Sequence, residues 1–167
     1  INVMSSFFAP KFICGYEYLF TNYSQGAQRY FWDFGVPNQT DDTSNQTKPL
    51  FRFPSPGSYT VMLVAYKNNC SDTFRLTVTV VEPVIPQLPS DTILCPGETL
   101  VLKSDITGDS YGWNTGSKTD SIIVDTDGQY ILGVTQKTCT WYDTINVSVD
   151  RDVVEAYGDT LFCSDQT

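Results

Sequence analysis

Apolar and polar residues alternate over short stretches, as in Tyr59-Thr60-Val61-Met62-Leu63-Val64-Ala65 and Ile145-Asn146-Val147-Ser148-Val149. A period of two sends successive side chains to opposite faces, which is the pattern of a half-buried strand. No long segment keeps the 3.6-residue period of a helix. Clusters of Gly, Asn, Asp, Ser and Pro interrupt the alternating runs at short spacing, which favours antiparallel sandwiches over parallel α/β sheets. The expected fold class is all-β, with two tandem antiparallel β-sandwiches and the truncated start of a third repeat in 167 residues.

The alternation stops at Glu82-Pro83-Val84-Ile85-Pro86-Gln87-Leu88-Pro89. Three prolines at three-residue spacing remove ladder donors and favour extended polyproline geometry, the character of a short, semi-rigid linker. Asp91-Thr92-Ile93-Leu94-Cys95 returns as Asp159-Thr160-Leu161-Phe162-Cys163, four residues before the end. Each complete unit carries a Trp, then Gly-any-Tyr, a Cys, and Asp-Thr before alternating apolar residues. These are Trp32, Gly57-Ser58-Tyr59, Cys70 and Asp72-Thr73 in the first unit, and Trp113, Gly128-Gln129-Tyr130, Cys139 and Asp143-Thr144 in the second. Ile1-Asn2-Val3 matches Ile145-Asn146-Val147. The expected organisation is therefore a preceding repeat's tail or a linker at 1–7, sandwiches at 8–82 and 90–150, a linker at 83–89, and a truncated repeat at 151–167. Self-similarity of this kind marks a repeat array, which serves reach, stiffness and display.

The repeat also sorts the five cysteines into early and late positions. On that alignment Cys14 pairs with Cys70 and Cys95 with Cys139, while Cys163 aligns with Cys95 and has no partner within the segment. Each bridge would close a loop worth roughly 4 kcal/mol in the chain-entropy model. The alternative is a set of reduced, buried thiols in a cytosolic protein.

Composition narrows the function classes. The chain is 41% hydrophobic and 17% charged, enough to build cores, and its net charge is −9. That charge opposes a sequence-independent grip on nucleic acid or anionic lipid. No stretch approaches the roughly 20 apolar residues of a membrane span, so no direct membrane insertion is expected of this segment. Ile1 opens no signal sequence, which places any leader or anchor outside the segment. Histidine is absent, which removes Ser-His-Asp and Cys-His nucleophiles and imidazole zinc sites. Carboxylate-pair hydrolysis stays formally open, although the acids fall mostly at turns and strand ends. No catalytic residue, metal or cofactor is expected.

The tryptophans and the Gly-any-Tyr tyrosines are candidates for structure first: a Trp filling the gap between two sheets and a Tyr bonding back to the chain at a corner. Trp141 and Tyr142 are adjacent in a strand pattern, so they face opposite sides and one of them is a candidate partner contact.

Trp32-Asp33-Phe34-Gly35, with Asn22-Tyr23-Ser24-Gln25-Gly26-Ala27 before it and Pro49, Phe51, Phe53 and Pro56-Gly57-Ser58-Tyr59-Thr60-Val61 after it, resembles a PKD domain over about residues 8 to 82. The family runs WDFGDG, a Pro-His-aromatic stretch and PGTYTV. Val36-Pro37 stands where the family often has Asp-Gly, which weakens a calcium site borrowed through that Asp, and Phe51 stands where it often has His. A calcium role for the loop holding Asp41 and Asp42 remains an alternative. Cys95-Pro96-Gly97-Glu98-Thr99-Leu100, Tyr111-Gly112-Trp113, Gly128-Gln129-Tyr130 and Cys139 resemble the Ig-like repeats that accompany PKD domains in bacterial surface adhesins. The group includes gliding-motility-associated proteins exported by type IX secretion.

Asp-Thr/Ser-aliphatic strings resemble the O-glycan acceptor of the same bacteria, making Thr92, Ser121, Thr144 and Thr160 candidates; a polar strand entrance is the alternative. Sequons begin at Asn22, Asn38, Asn45, Asn69 and Asn146, where eukaryotic N-glycosylation competes with chance. The expected function is a non-catalytic stalk and display segment of a secreted or cell-surface adhesin, touching an unidentified protein or glycan. The resemblance implies an extracellular setting, with the outer membrane reached through parts not in this chain. An accessory substrate- or carbohydrate-binding module of a secreted hydrolase and a eukaryotic receptor ectodomain are the alternatives.

Overall fold

The computed structural model describes residues 2–150. They divide into two compact units, with the boundary between Pro83 and Val84. Both are β-sandwiches. The expected truncated repeat, with Cys163 and Thr160, lies outside the described residues.

Unit 1 contains β1 (Phe7–Phe8), β2 (Phe12–Cys14), β3 (Glu17–Leu19), β4 (Thr21–Asn22), β5 (Arg29–Asp33), β6 (Thr43–Ser44), β7 (Leu50–Arg52), β8 (Gly57–Lys67) and β9 (Cys70–Val81). Its larger sheet has the order β2-β9-β8-β5-β6, and the two-stranded pairs β3-β7 and β1-β4 provide further strands around the same core. The β8–β9 hairpin supplies its longest ladder. Tyr59, Val61, Leu63 and Ala65 point inward along β8, while Ser58, Thr60, Met62, Val64 and Tyr66 point outward. The core is aromatic. Trp32 is fully buried, with Phe7 at 5.0 Å and Phe20 at 5.7 Å between ring centroids, and Phe34 stacks on Phe51 at 3.9 Å.

Unit 2 contains β10 (Thr92–Leu94), β11 (Leu100–Lys103), β12 (Ser110–Trp113), β13 (Ser121–Val124), β14 (Gly128–Gln136) and β15 (Cys139–Val149). The sheet β10-β15-β14-β12 accompanies the pair β11-β13. Its core is mainly aliphatic, with Leu102, Leu132, Val134, Ile145 and Val147 around Trp113 and Tyr130.

The repeat read from the sequence has a structural counterpart in three devices. Trp32 Nε1 donates to the Gln46 carbonyl at 2.9 Å and Trp113 Nε1 to the Thr119 carbonyl at 3.0 Å. Tyr59 Oη donates to the Ser55 carbonyl four residues upstream at 2.8 Å, and Tyr130 Oη to that of Thr126 at 3.0 Å. These are tyrosine corners, which satisfy a buried hydroxyl and a turn carbonyl together. Finally, Asp72 accepts the backbone N–H of Ser5 at 2.7 Å and Asp143 that of Leu88 at 2.6 Å. In each unit this aspartate ties the incoming chain to the last strand, so the Asp of Asp-Thr has a structural role.

The cysteine pairing inferred from the repeat is corrected. Cys70 is a free, exposed thiol, so it forms no bridge with Cys14. Cys14, Cys95 and Cys139 are disulfide-bonded. Cys14 lies opposite Val81, the last residue of β9, whereas Cys70 is its first. At about 3.3 Å per residue those positions are about 35 Å apart. Likewise Cys95 follows Leu94, which lies opposite Val149 at the end of β15, and Cys139 begins that strand. A disulfide needs Cα atoms within about 7 Å, so the early and late cysteines of one unit cannot meet.

Candidate functional site

The row of residues just before Trp113 on the outer face of unit 2 is unusual for a sheet interior. Gly112 pairs directly with Gly133, and Gly133 with Tyr142 on β15. Glycine in a strand weakens it and often marks a close approach by another group. Here the Tyr142 ring supplies that approach: a Cβ added at Gly133 would stand 2.8 Å from its Cε1. Tyr142 nevertheless stays 64% exposed, so its other face is open to solvent. Lys118 Nζ lies 3.6 Å from where a Gly112 Cβ would stand. Together Gly112, Trp113, Asn114, Lys118, Ile131 and Tyr142 line an open depression of about 370 Å³.

This arrangement provides an apolar ring for a flat ligand face and an ammonium at one end. Asn114 is committed to the fold: its Nδ2 donates to the Gln129 carbonyl and its Oδ1 accepts from the Ile131 N–H, at 2.7 and 3.0 Å. Of the adjacent aromatic pair, Tyr142 is the outward member, and Trp141 is half-buried on the side shared with Cys139 and Ile145. The sequence pattern could place the two on opposite faces. It could not show that two glycines from different strands would pair, with one of them, Gly133, beneath the Tyr142 ring.

The hydroxyl candidates separate by environment. Thr144 is exposed, between inward-facing Asp143 and Ile145. Thr92 is half-buried and its Oγ1 donates to the Ser90 carbonyl at 2.8 Å. Ser121 is half-buried and its Oγ donates to Asp120 Oδ1 at 3.1 Å. Among the sequons, Asn38, Asn45 and Asn69 are exposed. Asn146 uses its side chain to donate to Asp91 Oδ2 at 3.0 Å, and its backbone N–H donates to Asp91 Oδ1 at 2.9 Å. These two bonds hold the Asp91 carboxyl below its ordinary pKa, because they favour the charged form.

In the loop considered for calcium, Asp42 is 95% buried and its carboxylate accepts the Val36 N–H at 2.7 Å. That carboxylate braces the turn after the Trp strand, while Asp41 is exposed. Among the described residues, no three His, Cys, Asp or Glu side chains group closely enough to hold a metal ion.

No protein-family model matches the chain, and no curated protein matches it. Among solved structures it is similar to carbohydrate-binding modules of the β-sandwich superfamily at 15% identity and a TM-score of 0.45, covering 80% of this chain and 55% of that one. The chain thus spans little more than half of that structure. It is also similar to the fibronectin(III)-like modules of Clostridium thermocellum CbhA, at 12% identity and a TM-score of 0.46, covering 93% and 100% of the two chains. Drosophila OTK extracellular domains 3–5 give 14% identity and a TM-score of 0.43, with 88% and 62% covered. At these identities the likeness concerns fold alone.

Proposed function

We propose that this chain is a non-catalytic stalk and display segment of a large secreted or cell-surface adhesin, built from a PKD-like and an Ig-like sandwich. The gliding-motility and type IX secretion setting belongs to the same proposal and rests on the sequence resemblance. The observation that carries the stalk reading is the strand pairing at the start and end of each unit.

β2 runs parallel to β9, with Phe12 opposite Thr79 and Cys14 opposite Val81, and β10 runs parallel to β15, with Thr92 opposite Val147 and Leu94 opposite Val149. Thr79 N–H donates to the Lys11 carbonyl at 2.9 Å and Gly15 N–H to that of Val81 at 3.0 Å; Asp150 N–H donates to that of Leu94 at 2.9 Å. Because an early strand and the last strand, β2 with β9 and β10 with β15, point the same way, opposite pulls on the two ends of a unit slide these strands past each other. Their hydrogen bonds then bear load together. An antiparallel pair pulled from one end would open bond by bond. The proposal follows from this geometry: each unit resists extension while its outer faces remain available for display.

The test is single-molecule pulling of the whole chain. Two separate unfolding events are expected, each well above the force that stretches an unfolded chain, and Thr79→Pro should lower only the event of unit 1. Extension without such events would overturn the stalk reading. Within the same proposal, Thr144 is the hydroxyl best placed to carry an O-glycan, because it is exposed and its neighbours hold the strand. Peptide mapping of the native protein would locate such a glycan or show that Thr144 is bare.

The exposed Tyr142 ring, lying over Gly133, favours a second reading, in which unit 2 contacts a glycan as an accessory module of a secreted hydrolase. Pull-down on insoluble polysaccharide that is lost in Tyr142→Ala would favour this reading over a purely mechanical stalk.

A further inference from the structure

The outer face of unit 1 carries a cleft that the stalk and display reading does not use. Arg29 on β5 and Tyr66 on β8 are direct cross-strand partners, and the guanidinium carbon lies 5.1 Å from the Tyr66 ring centroid. Gln28 fixes this corner: its N–H donates to the Tyr66 carbonyl at 2.7 Å, and its Oε1 accepts from the Asn68 N–H at 3.4 Å. Phe31 continues the aromatic wall, while exposed Asn45 and Thr47 stand on the far side of an open space of about 520 Å³. That size falls within the ordinary range of small-ligand sites, roughly 300 to 1,000 Å³.

The charge around this cleft runs against the rest of the molecule. The chain has 10 Lys and Arg against 19 Asp and Glu, yet no lining residue is acidic. Lys48 and Lys67 directly follow the lining residues Thr47 and Tyr66. The salt bridge found among the described residues is Lys103–Asp120, at 3.8 Å, so Arg29 there has no carboxylate partner. The guanidinium thus lies over the Tyr66 ring at the cleft's lining, with no carboxylate among the described residues occupying its N–H groups. A planar fork of that kind suits a carboxylate, which it can hold through two parallel hydrogen bonds.

We propose that this cleft binds an acidic polysaccharide through the carboxylate of a uronic acid residue. Arg29 holds the carboxylate, the Phe31 and Tyr66 rings cover the apolar face of the sugar, and Asn45 and Thr47 meet its hydroxyls. The net charge of −9 opposes a polyanion at long range, so the attraction rests on the local cation, Arg29, and on one carboxylate at a time. The site is independent of the stalk geometry and of Tyr142.

The experiment titrates the whole chain with a galacturonic acid trisaccharide and with the neutral galactose trisaccharide, by calorimetry and by NMR of the Arg29 Nε–H. Saturable binding of the acidic sugar is expected, at least tenfold tighter than the neutral one. Arg29→Gln should weaken it tenfold or more, Arg29→Lys less, and Tyr142→Ala should leave it unchanged. Thermal melting of each variant verifies folding. Four results would each overturn the proposal: no saturable binding at millimolar sugar, equal affinity for the neutral sugar, full binding by folded Arg29→Gln, or tighter binding of a polyglutamate peptide. None of these results bears on the pulling experiment.

Discussion

The two units share corner tyrosines, buried tryptophans and a terminal hairpin, and fill their interiors with different material. Unit 1 surrounds Trp32 with Phe7, Phe20 and Phe34, whereas unit 2 surrounds Trp113 with Leu, Ile and Val. The shared features are hydrogen-bonded: a Trp N–H or a Tyr O–H buried between sheets needs a particular carbonyl, and few side chains can replace it. The contacts that fill the remaining space are non-directional, so a phenyl ring or two aliphatic side chains serve equally if the volume is right. The outer faces diverge in the same way. Phe31 and Val64 are paired in unit 1 just before the buried Trp, where unit 2 pairs Gly112 with Gly133. Each unit therefore presents a different surface on a similar frame.

The largest effect should come from removing the centre of the aromatic core. Trp32→Ala is expected to destabilise unit 1 by about 3–5 kcal/mol and to leave unit 2 folded. Hydrogen exchange resolved by unit checks this, and loss of protection in both units would show that they are not independent.

Next comes the contrast between the late cysteines. Cys139→Ser, which removes a buried and disulfide-bonded residue, should cost about 2–5 kcal/mol, while Cys70→Ser should change stability by less than about 0.5 kcal/mol. In the native protein, iodoacetamide should label Cys70 and spare Cys139. Labelling of both, read by peptide mass, would contradict the asymmetry.

The corner tyrosines should behave alike. Tyr59→Phe and Tyr130→Phe each delete one hydroxyl bond and should each cost about 1 kcal/mol. A clear difference in denaturant midpoint shifts between the two would break the equivalence of the corners.

The smallest effect concerns Asp91, whose exposed carboxylate is stabilised by Asn146. Its pKa is lowered on folding, so its contribution is present above the ordinary carboxylate value. It fades as pH falls through the lower folded value. Asp91→Asn should flatten that part of the pH–stability curve for unit 2 and leave unit 1 unaffected.

Much of the fold was legible because it depends on local rules. Alternation identified β8 and β15, and the structure buries Ile145 and Val147 and exposes Thr144 as a period of two requires. Gly-any-Tyr identified both corners. The cysteine pairing escapes the repeat for a physical reason: corresponding positions in a repeat need not be neighbours in space. An early strand laid parallel to the last strand places the early cysteine near the far end of the late cysteine's own strand. Nothing local encodes that pairing. The candidate sites were legible only in part, since Tyr142 could be assigned to a face but Arg29 and Tyr66 are 37 positions apart in sequence and meet through the β5–β8 register.

By itself, then, the sequence determined the strand content, which residues point inward, the turns and the paired design of the two units, because side-chain period and turn chemistry act over a few residues. Tertiary structure alone decided that Cys70 is free, that Gly133, paired with Gly112, lies under Tyr142, and that Arg29 lies over the Tyr66 ring in a cleft with no acidic lining residue. Those outcomes depend on strand order and register, which are set by the packing of the whole core and bring together residues far apart along the chain.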